Sequence, residues 1–393
     1  MKFIHLLAVI GIFFCTCIGW FMLGGALTLR TNEASTELLQ EVTQNWGPPL
    51  RQAHPSFYFL APNAARTRKP VLPETSDVQV ALLYSPKSKG LMNYRTYQAE
   101  FSATYTIKNP TPIAQVIFAA FTLPDAAARY DAFSLKVGER VTDKVPQDGS
   151  ITESIELPPG GSASVNIAYT ANGMDTWRYE FDGTQRVRGF TLAMTTDFAE
   201  INFPGDTASA NGERVRSGEG WKLFWNYHDV IGARAIGMDM PKVLNAGPVA
   251  TRIAFYAPVS LLFFFTVLFI LALTNGVKLH PMHWFFLAAG CFAFQLLFAY
   301  SVDLVPALVA FIVAACVSLL LVTLYLRQVA GARFASAAAV AQFAYMVLFS
   351  YSFFFDGITG LTITLGAIIT LAILMIKTAG TDWSRAFGAG KPA

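Results

Sequence analysis

Few side chains in this sequence are of the right type and spacing to do chemistry. Between residues 31 and 250 the only histidines are His54 and His228. His228 lies in Trp225-Asn226-Tyr227-His228-Asp229. Neighbours on a strand face opposite sides of the sheet, so His228 and Asp229 do not read as a catalytic pair, and His228 reads as a polar residue at a strand edge. There is no Gly-x-Ser-x-Gly elbow, phosphate-binding loop, dinucleotide fingerprint or His-Glu-x-x-His. The expectation is no catalytic, cofactor-binding or metal residues, no cofactor, and a chain that is not an enzyme.

Ionisable groups inside apolar segments are costly and therefore point to function by default. Asp303 and Asp356 are the only acids within the C-terminal apolar region. Both fall at helix ends, where water and headgroups solvate them. Gln295 and Gln342 lie deeper and are placed to bond between helices, a structural role. His280 and His283 bracket Pro281-Met282 at an interface and do not form a ligand set.

The elements holding these residues follow from where the apolar residues lie. The chain is 53% hydrophobic and 14% charged, with a mean hydropathy of +0.42. Soluble domains carry about a quarter charged residues. The apolar excess is confined to residues 3–29 and 253–376. Five apolar runs follow one another at about 253–273, 283–302, 304–326, 336–355 and 358–376, each 19 to 23 residues long. About 20 residues cross the ~30 Å hydrocarbon core, and only helices satisfy their own backbone there. Their short connections make neighbours antiparallel.

At the N-terminus, the run from Phe3 continues to Leu29, longer than a signal-peptide core. It reads as a retained anchor, for a total of six transmembrane helices. With the N-terminus inside, the inner segments hold Lys2, Lys278, Arg327, Arg333, Lys377, Arg385 and Lys391 against Asp382 alone. This asymmetry places residues 31–250 outside and both termini in the cytoplasm.

Residues 31–250 carry 20 Lys/Arg and 23 Asp/Glu, a net of 20 − 23 = −3. The basic residues are scattered, so no nucleic acid partner is indicated, and Arg66-Thr67-Arg68-Lys69 reads as a solvated loop. All four cysteines (Cys15, Cys17, Cys291, Cys316) lie in the apolar segments. The exported part must fold on its apolar core without disulfides. Residues 31–45 read as a helical extension of the anchor and 46–76 as a crossing loop. From about 77 the period becomes two, cleanest over Tyr97–Ile107. Further strands are expected at 114–123, 134–137, 151–157, 164–169, 177–181, 187–195, 201–203, 221–227 and 234–238. No crossover helices separate them, so the expected fold is an all-β antiparallel, sandwich-like exported domain. It is joined to a membrane α-helical bundle.

Several local phrases accompany this layout. Val277-Lys278-Leu279-His280-Pro281-Met282-His283-Trp284, the Tyr300-Ser301-Val302-Asp303 hairpin and Thr381-Asp382-Trp383 resemble segments of the CreD family of inner-membrane proteins. Phe190–Phe198 followed by Ile201-Asn202-Phe203-Pro204 is similar as well. Where that family has a Gly-Pro-Gln-like segment, this chain has Trp46-Gly47-Pro48-Pro49-Leu50. The resemblance implies a bacterial inner-membrane protein with a role in envelope integrity or stress tolerance, and it carries no active-site residues.

The combined expectation is an anchor at 1–30, a periplasmic β-rich domain at 31–250, a five-helix bundle at 251–377 and a cytoplasmic tail at 378–393. Function is expected to be non-enzymatic, through the periplasmic domain, with the lipid bilayer and envelope proteins as partners. The alternative is a membrane-embedded transporter or lipid-handling enzyme using the helix bundle, with Asp303 or Asp356 in its site.

Overall fold

The computed structural model describes residues 3–61, 67–89, 92–182, 186–302, 304–355, 357 and 359–379. Asp303, Asp356, Lys2, Arg66, Asp382, Trp383, Arg385 and Lys391 lie outside the described residues. The chain divides into two compact units, Met1–Thr36 with Leu244–Ala393, and Glu37–Val243.

Helix α1 runs without a break from Phe3 to Trp46, about 66 Å at 1.5 Å per residue. It stops at Gly47, whose φ of +94° suits a residue without Cβ. The Gly47 N–H donates to Thr43 O at 3.0 Å, and an added Cβ would stand 2.2 Å from Asn172 O. Pro48-Pro49 then bars any return to helix. Near this end Val42 is buried with Tyr94 and Met174, and Glu41 pairs with Lys89.

The other helices are α2 (Ala246–Thr274), α3 (Pro281–Ser301), α4 (Ala307–Ala330) and α5 (Ala332–Gln342). A π-helical stretch, Phe343–Leu348, follows α5, then α6 (Phe349–Tyr351), a 3-10 turn and α7 (Thr359–Thr378). Among the described residues five helical spans are long and apolar enough to cross a membrane: Ile4–Glu33, Ala246–Thr274, Pro281–Ser301, Ala307–Ala330 and Ala332–Phe354. The sixth expected crossing coincides with α7, whose apolar stretch Gly360–Ile376 is shorter.

Within Glu37–Val243 the strands are, in chain order, β1 (Leu50–Ala53), β2 (Ser56–Leu60), β3 (Arg68–Val71), β4 (Thr75–Tyr84), β5 (Lys87–Lys89) and β6 (Met92–Tyr94). They continue with β7 (Thr96–Lys108), β8 (Gln115–Thr122), β9 (Tyr130–Val137), β10 (Arg140–Val141), β11 (Ser150–Leu157) and β12 (Ser162–Met174). The last are β13 (Thr176–Glu180), β14 (Arg186–Thr196), β15 (Val215–Ser217), β16 (Gly220–Ile231) and β17 (Ile236–Asp239). An eight-stranded sheet has the order β10-β9-β12-β7-β4-β14-β16-β15, a four-stranded sheet β11-β8-β2-β3, and a three-stranded sheet β1-β13-β17. β5 and β6 pair with each other alone.

Three sequence expectations are corrected. The stretch 46–76, read as a crossing loop, contains β1, β2, β3 and the start of β4. These strands are too short, and too interrupted by prolines, to show a period. The sheets are not purely antiparallel: β1 pairs with β13 and β4 with β14 in parallel. Strands so distant in sequence are not held by a hairpin turn, so nothing local sets their direction. The strand expected at 201–203 is reduced to a bridge between Asn202 and Asp239.

The cleanest period-two segment lies at the centre. On β7 the residues Tyr97, Ala99, Phe101, Ala103, Tyr105 and Ile107 are all buried, and they join one hydrophobic cluster drawn from all three sheets. Aromatic contacts link the sheets: Phe57 to Tyr105 at 5.8 Å, Phe121 to Tyr169 at 6.5 Å and Phe101 to Tyr179 at 6.5 Å. Tyr169 also donates to Gln52 Oε1 at 2.8 Å, and Gln52 Nε2 donates to Thr122 O at 3.0 Å.

The outer edge of β11 is closed by side chains. Arg140 donates to Ser154 O and Lys144 to Thr152 O, both at 3.3 Å, which blunts the edge against pairing with another strand. Both cations also reach Glu153, whose side chain is 4% exposed. Burial pushes the Glu153 carboxyl up, but hydrogen bonds from Thr142 and Lys144 and the charges of Lys144 and Arg140 together hold it below the usual carboxylate range.

Two outcomes follow for the β unit. A fragment of residues 37–243 should give a strand-dominated circular dichroism spectrum, indifferent to reducing agent. A fragment of 75–243 should lose it, because β8 then lacks β2 and β13 lacks β1; equal spectra for the two would contradict the register. Glu153→Gln should destabilise the 37–243 fragment at pH 7 by about 1–3 kcal/mol. Because the folded-state carboxyl is depressed, this stabilisation is present above the unfolded value and lost as pH falls through the folded one. Urea titrations of both forms should therefore converge in acid.

Candidate functional site

The side chain with the strongest chemical signature is His54, between β1 and β2. Its backbone N–H donates to Glu180 O at 2.8 Å, and its Nδ1 lies 2.8 Å from the Tyr179 hydroxyl. That hydroxyl is 2.9 Å from the hydroxyl of Tyr105. Aromatic rings surround the imidazole, with centroids of Tyr105 at 5.6 Å, Phe181 at 5.7 Å and Phe190 at 6.2 Å. Burial in this setting pushes the His54 pKa down from 6.5 to about 4, so the ring is neutral at neutral pH. Burial raises Tyr105 and Tyr179 as well.

His54 is also part of the wall of a cavity of about 180 Å³. Tyr58 of β2, Arg68 and Pro70 of β3, Ser76 of β4, Phe181 and Asp182 after β13, and Arg186 and Arg188 of β14 complete much of that wall. Arg68 lies over the Tyr58 ring at 4.7 Å, a cation–π contact. Arg186 forms a two-pronged pair with Asp229, and Arg188 approaches the same carboxylate at 3.9 Å. Hydrogen bonding by Arg186 holds Asp229 below the usual carboxylate range.

The other residues singled out from the sequence are dispersed. Asp229 is occupied by arginines, and among the described residues no triad forms around His228. In the bundle, Gln342 Nε2 donates to Ser318 Oγ at 2.9 Å, and Ser318 donates to Gly290 O at 2.7 Å. This ties α3, α4 and α5 together, as expected for Gln342. Gln295 is equally buried, yet neither of its amide atoms has a partner among the described residues. His283 Nδ1 is 2.7 Å from the Tyr325 hydroxyl, and His280 Nδ1 accepts from Met282 N at 3.3 Å as the N-cap of α3. Among the described residues no group of three or more His, Cys, Asp or Glu is placed to hold a metal ion.

Sequence reading passed over the His54 cavity because it treated residues 46–76 as a loop. The only local signal was a histidine just ahead of the aromatic island Phe57-Tyr58-Phe59, with Arg68 nine residues beyond the island.

Residues 225–384 match the family described as inner membrane protein CreD. The matched stretch opens at Trp225 on β16 and takes in α2 to α7, so the CreD resemblance is shown for these helices and the last strands and does not extend to α1. The His54 cavity lies ahead of it in the chain. No curated protein matches the sequence. Among solved structures, one from Legionella pneumophila, provisionally described as a nutrient binding protein, is 10% identical and aligns over 52% of this chain and 74% of its own, with a TM-score of 0.33. Likeness at that level supports no inference about fold or ligand.

The His54 environment predicts a pH response. Between pH 6.5 and about 4 the unfolded chain binds a proton at this residue and the folded chain does not, so stability falls as pH drops through that window and levels off below it. The full effect is up to roughly 3 kcal/mol. Unfolding of the 37–243 fragment at stepped pH should show this slope, flattened in His54→Gln. An unchanged slope would mean that His54 is solvated in the folded state.

Proposed function

We propose that this protein supports cell-envelope integrity from the inner membrane, acting without catalysis through its β-rich domain on the far side from the cytoplasm. The observation carrying this reading is the joining of a CreD inner-membrane segment to a compact β unit with its own core, Glu37–Val243. In this reading the eight- and four-stranded sheets form a sandwich that presents its surface to envelope partners. The apolar helices, six in all with α7 counted, anchor it in lipid with both termini in the cytoplasm. The excess of Lys and Arg in the short inner segments supports that orientation.

A second reading has a specific observation in its favour. Gln295 and the Oε1 of Gln342 are buried in the bundle without partners among the described residues, and a π-helical stretch begins directly after Gln342. Unpaired polar atoms at membrane depth are costly, and π-helical turns are frequent at functional sites. A transporter or lipid-handling enzyme would use such groups.

One set of variants separates the readings. Trp225, fully buried with its indole N–H on Ala208 O at 2.9 Å, should cost roughly 3–5 kcal/mol when cut to alanine. Trp225→Ala should abolish envelope-stress resistance, whereas Gln295→Leu should leave it intact at unchanged protein level. Lost resistance in Gln295→Leu at normal abundance would move the function into the bundle. For orientation, cysteines at Ser150 and Ser217 should react with an impermeant thiol reagent in spheroplasts, and one at Ser384 should not. The reverse pattern would invert the topology.

A further inference from the structure

We propose that the cavity beside His54 binds a phosphate group carried by an envelope component; the inference rests on the β-rich domain being the working part of the protein. At about 180 Å³ the cavity is smaller than the roughly 300–1,000 Å³ that holds a drug-sized ligand. It admits a terminal group, with the body of the ligand left outside.

Charge selects an anion. Arg68, Arg186 and Arg188 all line the wall, and among the described lining residues Asp182 is the single carboxylate. Asp229 neutralises Arg186 through both prongs and is 3.9 Å from Arg188, which leaves the Arg188 fork under-used. Arg68 has no carboxylate partner among the described residues; its contact is with the Tyr58 ring. These two guanidinium groups come from different strands, β3 and β14. A planar carboxylate is satisfied by one fork, whereas a tetrahedral phosphate offers oxygens in more than one direction.

The hydroxyl network supplies a neutral donor. Tyr105 is fully buried, and among the described residues its hydroxyl bonds to Tyr179 alone. If Tyr105 donates to Tyr179 and Tyr179 donates to His54 Nδ1, every hydroxyl hydrogen is placed. The opposite direction strands the Tyr105 hydrogen in the core, where an unmade hydrogen bond is costly. The network therefore assigns the ring proton to Nε2, which makes no hydrogen bond among the described residues and is left to donate to a ligand oxygen.

The test is equilibrium dialysis of the full-length protein, in nanodiscs of phosphatidylcholine, against radiolabelled inorganic phosphate at low ionic strength. Saturable binding of one phosphate is expected, with little competition from chloride or acetate. Arg68→Gln with Arg188→Gln should weaken it at least tenfold. His54→Phe should do likewise, and His54→Gln, which keeps a donor near the Nε2 position, should stay within a few-fold of the parent. Absence of saturable binding, equal competition by chloride, or an unaffected arginine variant would overturn the site, and acetate competing as well as phosphate would overturn the choice of phosphate. Nanodiscs of phosphatidylglycerol distinguish the source: loss of free-phosphate binding there assigns a lipid headgroup, and unchanged binding assigns a soluble phosphate. A failed site with Trp225→Ala still abolishing resistance removes this inference and leaves the proposed function standing.

Discussion

Strand β7 is the constraint on which the β unit depends. Its inward residues fill the centre of the common core, and its neighbours β12 and β4 pair with it over thirteen and ten residues. A slip of one residue would turn Tyr97, Phe101, Tyr105 and Ile107 outward and bury Glu100, Ser102 and Thr104 instead. Burial therefore fixes the register, without any disulfide. Once β7 is set, Tyr105 lies against Tyr179, and Tyr179 in turn positions His54.

The bundle solves the complementary problem. Its outer surface is apolar, while its interior carries a few polar groups that must find each other. Gln342 donates to Ser318, and Ser318 donates to the Gly290 carbonyl, at a point where a Cβ on Gly290 would meet Val322 at 2.8 Å. A small residue on α3 is thus what brings α4 close enough to bond, the usual basis of helix association in membranes. Gln295 breaks this pattern. It is the feature of the bundle most in need of a partner.

The two units differ in where charge sits. Within the β unit, buried or half-buried ions are compensated in place, as Glu153 is by Arg140 and Lys144. Around His54 the compensation is incomplete, because Asp229 serves two arginines and Arg68 lies on an aromatic ring. Guanidinium groups left over at a concave place give that place a reason to attract an anion.

Sequence by itself determined the division into apolar helices and a water-exposed β unit, because hydropathy over some 20 residues and period-two burial are both local properties. It also located β7, β8, β11, β12, β14 and β16, each long enough to show alternation, and the helix stop at Gly47-Pro48-Pro49. It did not reveal β1, β2 and β3, whose four or five residues are too few to carry a period, nor the parallel pairing of β4 with β14. The His54 cavity was decided only by tertiary structure. Its walls come from β2, β3 and β4 and, more than a hundred residues further along the chain, β14, and direction and partner for strands so far apart are set by burial in the shared core, which no window of sequence contains.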